Sequence, residues 1–252
     1  MTTLKSDTPL ARVLLQAIPA GNCRALTSLL DANPGLATVR IVDRSSWRTL
    51  LHVATAWPGH HPNGAATVSL LVTAGADVNA PFIGRHAETP LHWAASSGDV
   101  EVLAALVARG ANIEARGGVI GGGTPLATAC AFGQWSAARR LVACGAQAGL
   151  VEAATLGLTD RLEELASALP APPRDEICRA FWGACRGAQY GAAACLYAHG
   201  ADINWRPRWE DLTPLDVARE SGADELAEWL CSLGALSASP SRHPVASATG
   251  SR

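Results

Sequence analysis

Glycine followed by alanine recurs at Gly75-Ala76, Gly110-Ala111, Gly145-Ala146, Gly200-Ala201 and Gly234-Ala235, and the first two intervals are each 35 residues. A fixed interval of that size constrains the fold more than any overall composition. It marks one supersecondary unit copied along the chain, too small to bury its own apolar face and stable only when stacked on its neighbours. A second landmark keeps phase with the first: TLLHVATA from Thr49, TPLHWAASSG from Thr89, TPLATACAFG from Thr124 and TPLDVARESG from Thr213.

The unit beginning at Thr89 shows how side-chain chemistry writes the local structure. The Thr89 hydroxyl can accept from an unpaired amide of a first helical turn, and Pro90 occupies the first helical position, where no amide proton is needed. Ala94 and Ala95 offer a flat face for a close neighbour, and Gly98 closes the helix in a left-handed conformation that a side chain resists. A second helix follows, with Val100, Leu103, Leu106 and Val107 as its apolar stripe, and Gly110 ends it.

The whole segment TPLHWAASSGDVEVLAALVARGANIEA, Thr89 to Ala115, resembles the ankyrin repeat, whose signature is TPLHxA at a period near 33 residues. The match is also good at Thr49 and Thr124 and partial at Thr213, where Asp216 stands at the histidine position. Leu10 to Leu36 reads as a capping copy without the TPLH box, Leu150 to Ala168 as a shortened copy, and Ile177 to Asn204 as a degenerate one. The resemblance implies an all-α solenoid of about seven helix-turn-helix units with β-hairpin fingers over residues 8–235. It also implies that His52 and His92 are structural residues, bonded to a neighbouring turn. Acidic and apolar residues alternate around the last helix, Asp224, Glu225 and Glu228 among Leu226, Trp229 and Leu230, as an end unit with a wet outer face requires. Residues 236–252, rich in Ser, Ala and Pro, are expected to be disordered.

Departures from the pattern are informative. WPGHHP, Trp57 to Pro62, lengthens the connection inside the second unit by about five residues. The fingers PFIGRHAE from Pro81 and RGGVIGGG from Arg116 are each about two residues longer than standard. The glycines of the latter lack the GK[ST] or GxGxxG register of a phosphate cradle and are read as a flexible finger. Ala153 follows its equivalent Ala129 by only 24 positions, so one finger is missing. LPAPPRDE, Leu169 to Glu176, then replaces the next finger with a proline-rich connection unsuited to helix, and a kink or subdomain joint is expected near 149–176.

Composition excludes several function classes. The formal charge is −2 with a single lysine, Lys5, so no basic footprint for nucleic acid is present. No apolar run approaches a membrane span. Seven cysteines without a CxxC pair cannot close a complete disulfide framework, which fits a reducing cytoplasm; the competing reading is a signal peptide cleaved near Ala20. Arginine in place of lysine suits a GC-rich prokaryotic gene, and the ending GADINWRPRWEDLTPLDVARESGADELAEWL resembles a recurring arrangement in bacterial ankyrin proteins.

His52, His60, His61, His86 and His92 form the best case for a metal site, but no carboxylate or cysteine completes a ligand set. Cys178, Cys185 and Cys195 are read as packing residues, with redox activity as the alternative. No catalytic constellation is visible, so neither an enzyme nor a cofactor is expected. The expected function is binding of a partner protein by a monomer through the concave finger and first-helix surface. The family's variable positions carried onto this chain give Ser46, Arg48, Trp57, Arg85, His86, Glu88, Ser96, Ser97, Ile120, Gly121, Ala131, Phe132, Trp209, Glu210 and Leu212. The competing functions are a small-molecule or metal-responsive sensor using the histidine loop, and a host-directed bacterial effector with its signal in the tail.

Overall fold

The computed structural model describes residues 2–44 and 46–238. Among them fourteen α-helices run in consecutive pairs, each odd-numbered helix packed on the even-numbered one that follows. The chain divides into two compact units at the Ala148–Gly149 bond.

The first unit contains β1 (Thr3–Lys5), α1 (Pro9–Ala17), α2 (Cys23–Ala32), β2 (Arg40–Asp43), β3 (Ser46–Thr49), α3 (Leu50–Ala54), α4 (Gly64–Thr73), α5 (Pro90–Ser97), α6 (Val100–Ala108), α7 (Pro125–Ala131) and α8 (Trp135–Ala143). Helices α3, α5 and α7 stack in one layer and α2, α4, α6 and α8 in a second. Leu51, Leu71, Leu91, Leu103, Leu106, Leu126 and Leu141 fill the space within these layers and are fully buried. Ala94, Ala95, Ala129, Ala137 and Ala138 are buried too, and their small side chains allow the helices to approach closely.

The second unit holds α9 (Leu150–Leu156), α10 (Thr159–Ala166), α11 (Arg174–Arg186), α12 (Tyr190–Ala198), α13 (Pro214–Glu220) and α14 (Asp224–Ser232). Here α9, α11 and α13 form one layer and α10 packs against α12. Phe181, Leu162, Leu196, Leu215 and Leu230 are its buried centre.

Four local expectations are corrected. The first copy does carry the Thr-Pro-Leu start: Thr8 caps α1, its side chain accepting from the Ala11 amide at 3.4 Å, and Pro9 is the first helical residue. Residues 174–176 are helical rather than part of the proline connection. Pro173 caps α11, and Asp175 and Glu176 in its first turn oppose the positive end of the helix dipole. In addition, β1 is a strand that the sequence pattern did not suggest, pairing in parallel with β2. Finally, of residues 236–252, expected to be disordered, 236–238 are instead held, the Leu236 amide donating to Asn204 Oδ1 at 2.8 Å and the Ala238 amide to Asp216, and 239–252 lie outside the described residues.

Histidine holds the first-helix starts in place. His52 Nδ1 accepts from the Thr49 amide at 3.3 Å, and the Thr49 hydroxyl accepts from the His52 amide at 3.3 Å, a reciprocal capping box. His52 Nε2 lies 3.0 Å from the Glu88 carbonyl of the following unit, and His92 Nε2 lies 3.1 Å from the Gly123 carbonyl. With Nδ1 accepting from a backbone amide, the proton sits on Nε2 and is donated to the carbonyl. At Thr213 the same box is made by Asp216, whose carboxylate has no proton to donate. It accepts instead, from the Ala238 amide at 2.9 Å, so this copy of the box receives the segment that follows α14. Burial raises the Asp216 carboxyl's affinity for a proton, but the bonds from Ala238, Thr213 and Ser237 outweigh it and leave the group below the usual carboxylate range.

Both histidines are fully buried, and desolvation lowers their affinity for protons, that of His52 to about 4. The folded state therefore keeps His52 neutral while the unfolded chain protonates below about pH 6.5. Stability conferred by this residue is present above pH 6.5, falls progressively as the pH drops towards 4, and levels off below. The loss amounts to about 3 kcal/mol. Urea denaturation between pH 7.5 and 4 is expected to show this slope, and H52N to flatten it.

Candidate interaction surface

The residues before each Thr-Pro-Leu start form a row of fingers in the first unit. Strands β2 and β3 are antiparallel, with Arg40 opposite Thr49 and Val42 opposite Trp47. Strand β1 covers one edge of this hairpin, and the other edge is taken by the next finger, Trp47 and Ile83 exchanging backbone bonds of 2.9 and 3.0 Å. That second finger is closed by the Phe82 amide donating to the Glu88 carbonyl at 2.7 Å. The third is closed by Gly117 to Gly122 and Gly118 to Gly123 at 3.1 and 3.0 Å.

Gly117 and Gly118 let the third finger lie close to its surroundings, whereas Gly121 and Gly122 face open space. A Cβ on Gly117 would stand 2.6 Å from the Ala87 carbonyl oxygen, and one on Gly118 would stand 2.9 Å from the Gly123 carbonyl and the Thr128 hydroxyl. Glu88 fastens the second finger to the third: Oε1 accepts from the Val119 amide at 3.2 Å and Oε2 from Trp93 Nε1 at 3.0 Å. Both carboxylate oxygens are thus occupied internally, which makes Glu88 a brace rather than a free contact residue. Trp93 is half-buried, its ring edge-on to His52 at 4.9 Å and tilted against Phe82 at 5.5 Å.

The residues singled out in the sequence do not form one surface. Ser46, Arg48, Arg85, His86 and Ile120 lie on the fingers, where Arg85 and His86 are exposed and Ser46 and Arg48 half-buried. Trp57, Ser96, Ser97 and Phe132 belong to the other ends of the first helices. Eight residues of α5, about 12 Å of helix, separate Thr89 from that end. Ser97 is 8% exposed, with its hydroxyl donating to the Trp93 and Ala94 carbonyls, so its assignment to a contact surface is withdrawn. Sequence reasoning missed Ile83 and Val119, which are exposed on the fingers beside Ile120; Ile83 is 42% and Ile120 52% exposed. The signal for them was available, since both stand in the enlarged fingers at positions that no stacking interface requires.

The WPGHHP segment is fixed on both sides. The His60 amide donates to Asp99 Oδ2 at 2.7 Å and its ring nitrogen lies 3.2 Å from the Ser97 carbonyl, while Asn63 donates to the Gly21 carbonyl at 3.0 Å. A Cβ on Gly59 would be 2.6 Å from Ser97 Oγ, and one on Gly21 would overlap the Pro62 carbonyl. Asp99 also caps α6 through the Val102 amide. The loop thereby bridges three successive helix pairs and leaves Trp57 84% exposed. His52 and His92 are held at their capping boxes and His60 is bonded to the neighbouring helix pair. Among the described residues no group of three metal-ligating side chains comes together.

In the second unit Trp209, 63% exposed, stands in the segment before α13 with Trp205 and Trp182 edge-on at 6.3 and 6.4 Å. The Arg186 guanidinium lies over the Trp182 ring at 5.4 Å and pairs with Glu210 at 3.2 Å, so Glu210 is half-buried and engaged. Trp182 itself was not anticipated. It lies two residues before the alanine whose carbonyl closes the helix turn, the same register as His92, and its Nε1 donates to the Leu212 carbonyl at 3.0 Å. Indole here performs the histidine's task on the carbonyl preceding the next threonine. Cys178 Sγ accepts from the Asp202 amide at 3.2 Å and Cys185 is buried, its thiol pushed well above the usual range by desolvation, an environment for packing rather than for redox chemistry.

The Trp182 bond has a direct test. Trp182→Phe keeps an aromatic ring but removes the donor, and is expected to cost about 1–2 kcal/mol in chemical denaturation. Trp182→His, which restores a donor in the family's own form, is expected to recover part of that loss.

The family model described as "Ankyrin repeats (3 copies)" matches residues 14–117 and, in a second overlapping placement, residues 63–152. No curated protein matches the chain.

Proposed function

Because the chain belongs to the ankyrin repeat family, whose members are generally protein-interaction modules, we propose that it is a non-enzymatic binding protein and that the finger row of its first unit takes the partner. The observation that carries this reading is the exposure of Ile83, Val119 and Ile120 on fingers tied to their neighbours, the first to the second by backbone bonds and the second to the third through the Glu88 carboxylate. Apolar side chains that serve no core, presented on a fixed ladder, lower the entropy lost on association. Arg48, Arg85 and His86 border them and supply polar contacts of the kind that rim an interface.

The helix pairs after Ala148, to which the family match scarcely extends, are read as degenerate members of the same array. Trp182 and Asp216 at the histidine register and the Thr-Pro-Leu start at Thr213 support that reading. Trp57 favours a second contact area at the opposite helix ends, because the bonds around His60 and Asn63 hold its loop while its ring stays uncovered. Among the described residues no helix is long and apolar enough to cross a membrane.

Affinity capture with the full chain as bait separates these surfaces. The triple variant Ile83→Ser, Ile120→Ser, Arg85→Ala is expected to lose the captured partner with an unchanged far-ultraviolet circular dichroism spectrum. Trp57→Ala and Trp209→Ala are expected to weaken capture by tenfold or less. Retention of the partner by the finger variant would contradict the assignment.

A further inference from the structure

Charge is divided unevenly along the chain. Residues 1–148 carry eleven Lys and Arg against eight Asp and Glu, a net of +3, whereas residues from Gly149 onward carry nine against fourteen, a net of −5. Within the first unit the positive excess sits on the fingers and the first-helix layer. The four helices α1, α3, α5 and α7 contain one charged residue, Arg12. The fingers contribute Arg44, Arg48, Arg85 and Arg116, and none of these four makes an ion pair among the described residues.

The acidic residues of the same segments are withdrawn from the surface chemistry. Glu88 holds Val119 and Trp93, and Glu114 Oε1 accepts from the Gln147 amide at 2.7 Å. Of the finger carboxylates only Asp43 remains exposed without such a bond. A row of unpaired guanidiniums therefore flanks Ile83, Val119 and Ile120. Such a surface repels cationic segments, and it offers planar donors that suit carboxylates bidentately.

Resting on the reading of the finger row as the docking surface, we infer that its occupant is an acidic segment of a partner protein in which aspartate or glutamate is interleaved with aliphatic side chains. The aliphatic groups cover Ile83, Val119 and Ile120, and the carboxylates meet Arg48, Arg85 and Arg116.

Fluorescence anisotropy with the full chain tests this, using two fluorescein-labelled synthetic peptides, one of alternating Glu and Leu and one of alternating Lys and Leu. The Glu-Leu peptide is expected to bind at least tenfold more tightly and to weaken severalfold between 50 and 300 mM salt. Arg48→Glu with Arg85→Glu is expected to abolish or reverse that preference. Arg24→Glu with Arg140→Glu makes the same change of net charge on exposed helix positions elsewhere in the unit and is expected to leave it within twofold. No preference, a preference for Lys-Leu, or equal weakening by both double variants would overturn the inference. Concentration-dependent self-association removed by the finger variant would overturn it too, because the acidic occupant would then be a second copy of this chain. If the peptides show no preference while the finger triple variant still loses the captured partner, only the partner's chemistry is refuted; if that variant retains the partner, the docking surface itself falls.

Discussion

One bond recurs at three junctions between helix pairs: a buried side-chain donor on a first helix reaches the carbonyl just before the next threonine. His52 meets Glu88 in this way, His92 meets Gly123 and Trp182 meets Leu212. The carbonyl lies at the base of a finger and the donor is buried, so leaving either group unmatched costs more than the bond contributes when made. At these three junctions the bond fixes the finger against the helix behind it. Neighbouring fingers can then share backbone bonds, as Trp47 and Ile83 do. At Thr213 the same register carries an acceptor, Asp216, which takes the Ala238 amide.

This arrangement separates structural duties from functional ones. Helix layers satisfy the apolar side chains, the capping boxes satisfy the helix starts, and Glu88 and Glu114 satisfy amides in the fingers and turns beside them. What remains on the fingers, Ile83, Val119, Ile120 and Arg44, Arg48, Arg85 and Arg116, makes no side-chain hydrogen bond to a neighbouring repeat among the described residues, whereas Arg40 is buried and donates to the Pro81 carbonyl. Residues free of such a duty can vary with the partner while the array persists, which is how a shared fold carries different specificities.

Much of the helix architecture was legible in the sequence because it depends on local chemistry. Thr89 as a cap, Pro90 at the first position, His92 as a scaffold residue and Gly98 in the left-handed region follow from neighbours within a few residues. The candidate surface was less legible, because exposure is a tertiary property. Ser97 has the polarity of a surface residue, yet its hydroxyl turns back to its own helix. Glu88 carries a charge suited to a partner but joins two fingers instead. Trp57 could be recognised as an insertion, while its position at the helix end away from the fingers depended on which amides Asp99 and Gly21 hold. Trp182 escaped notice because the motif is written as histidine, whereas the fold requires only a donor at that register. Strand β1 has three residues, too few for an alternating pattern to appear.

The central claim is that the first unit presents a fixed finger row to a partner protein. Hydrogen–deuterium exchange on the chain alone and in complex with its captured partner tests it most directly. Binding is expected to add protection to residues 46–49, 81–88 and 117–123 and to leave α2, α4, α6 and α8 unchanged. Protection confined to those outer helices, or to residues beyond Gly149, would contradict it.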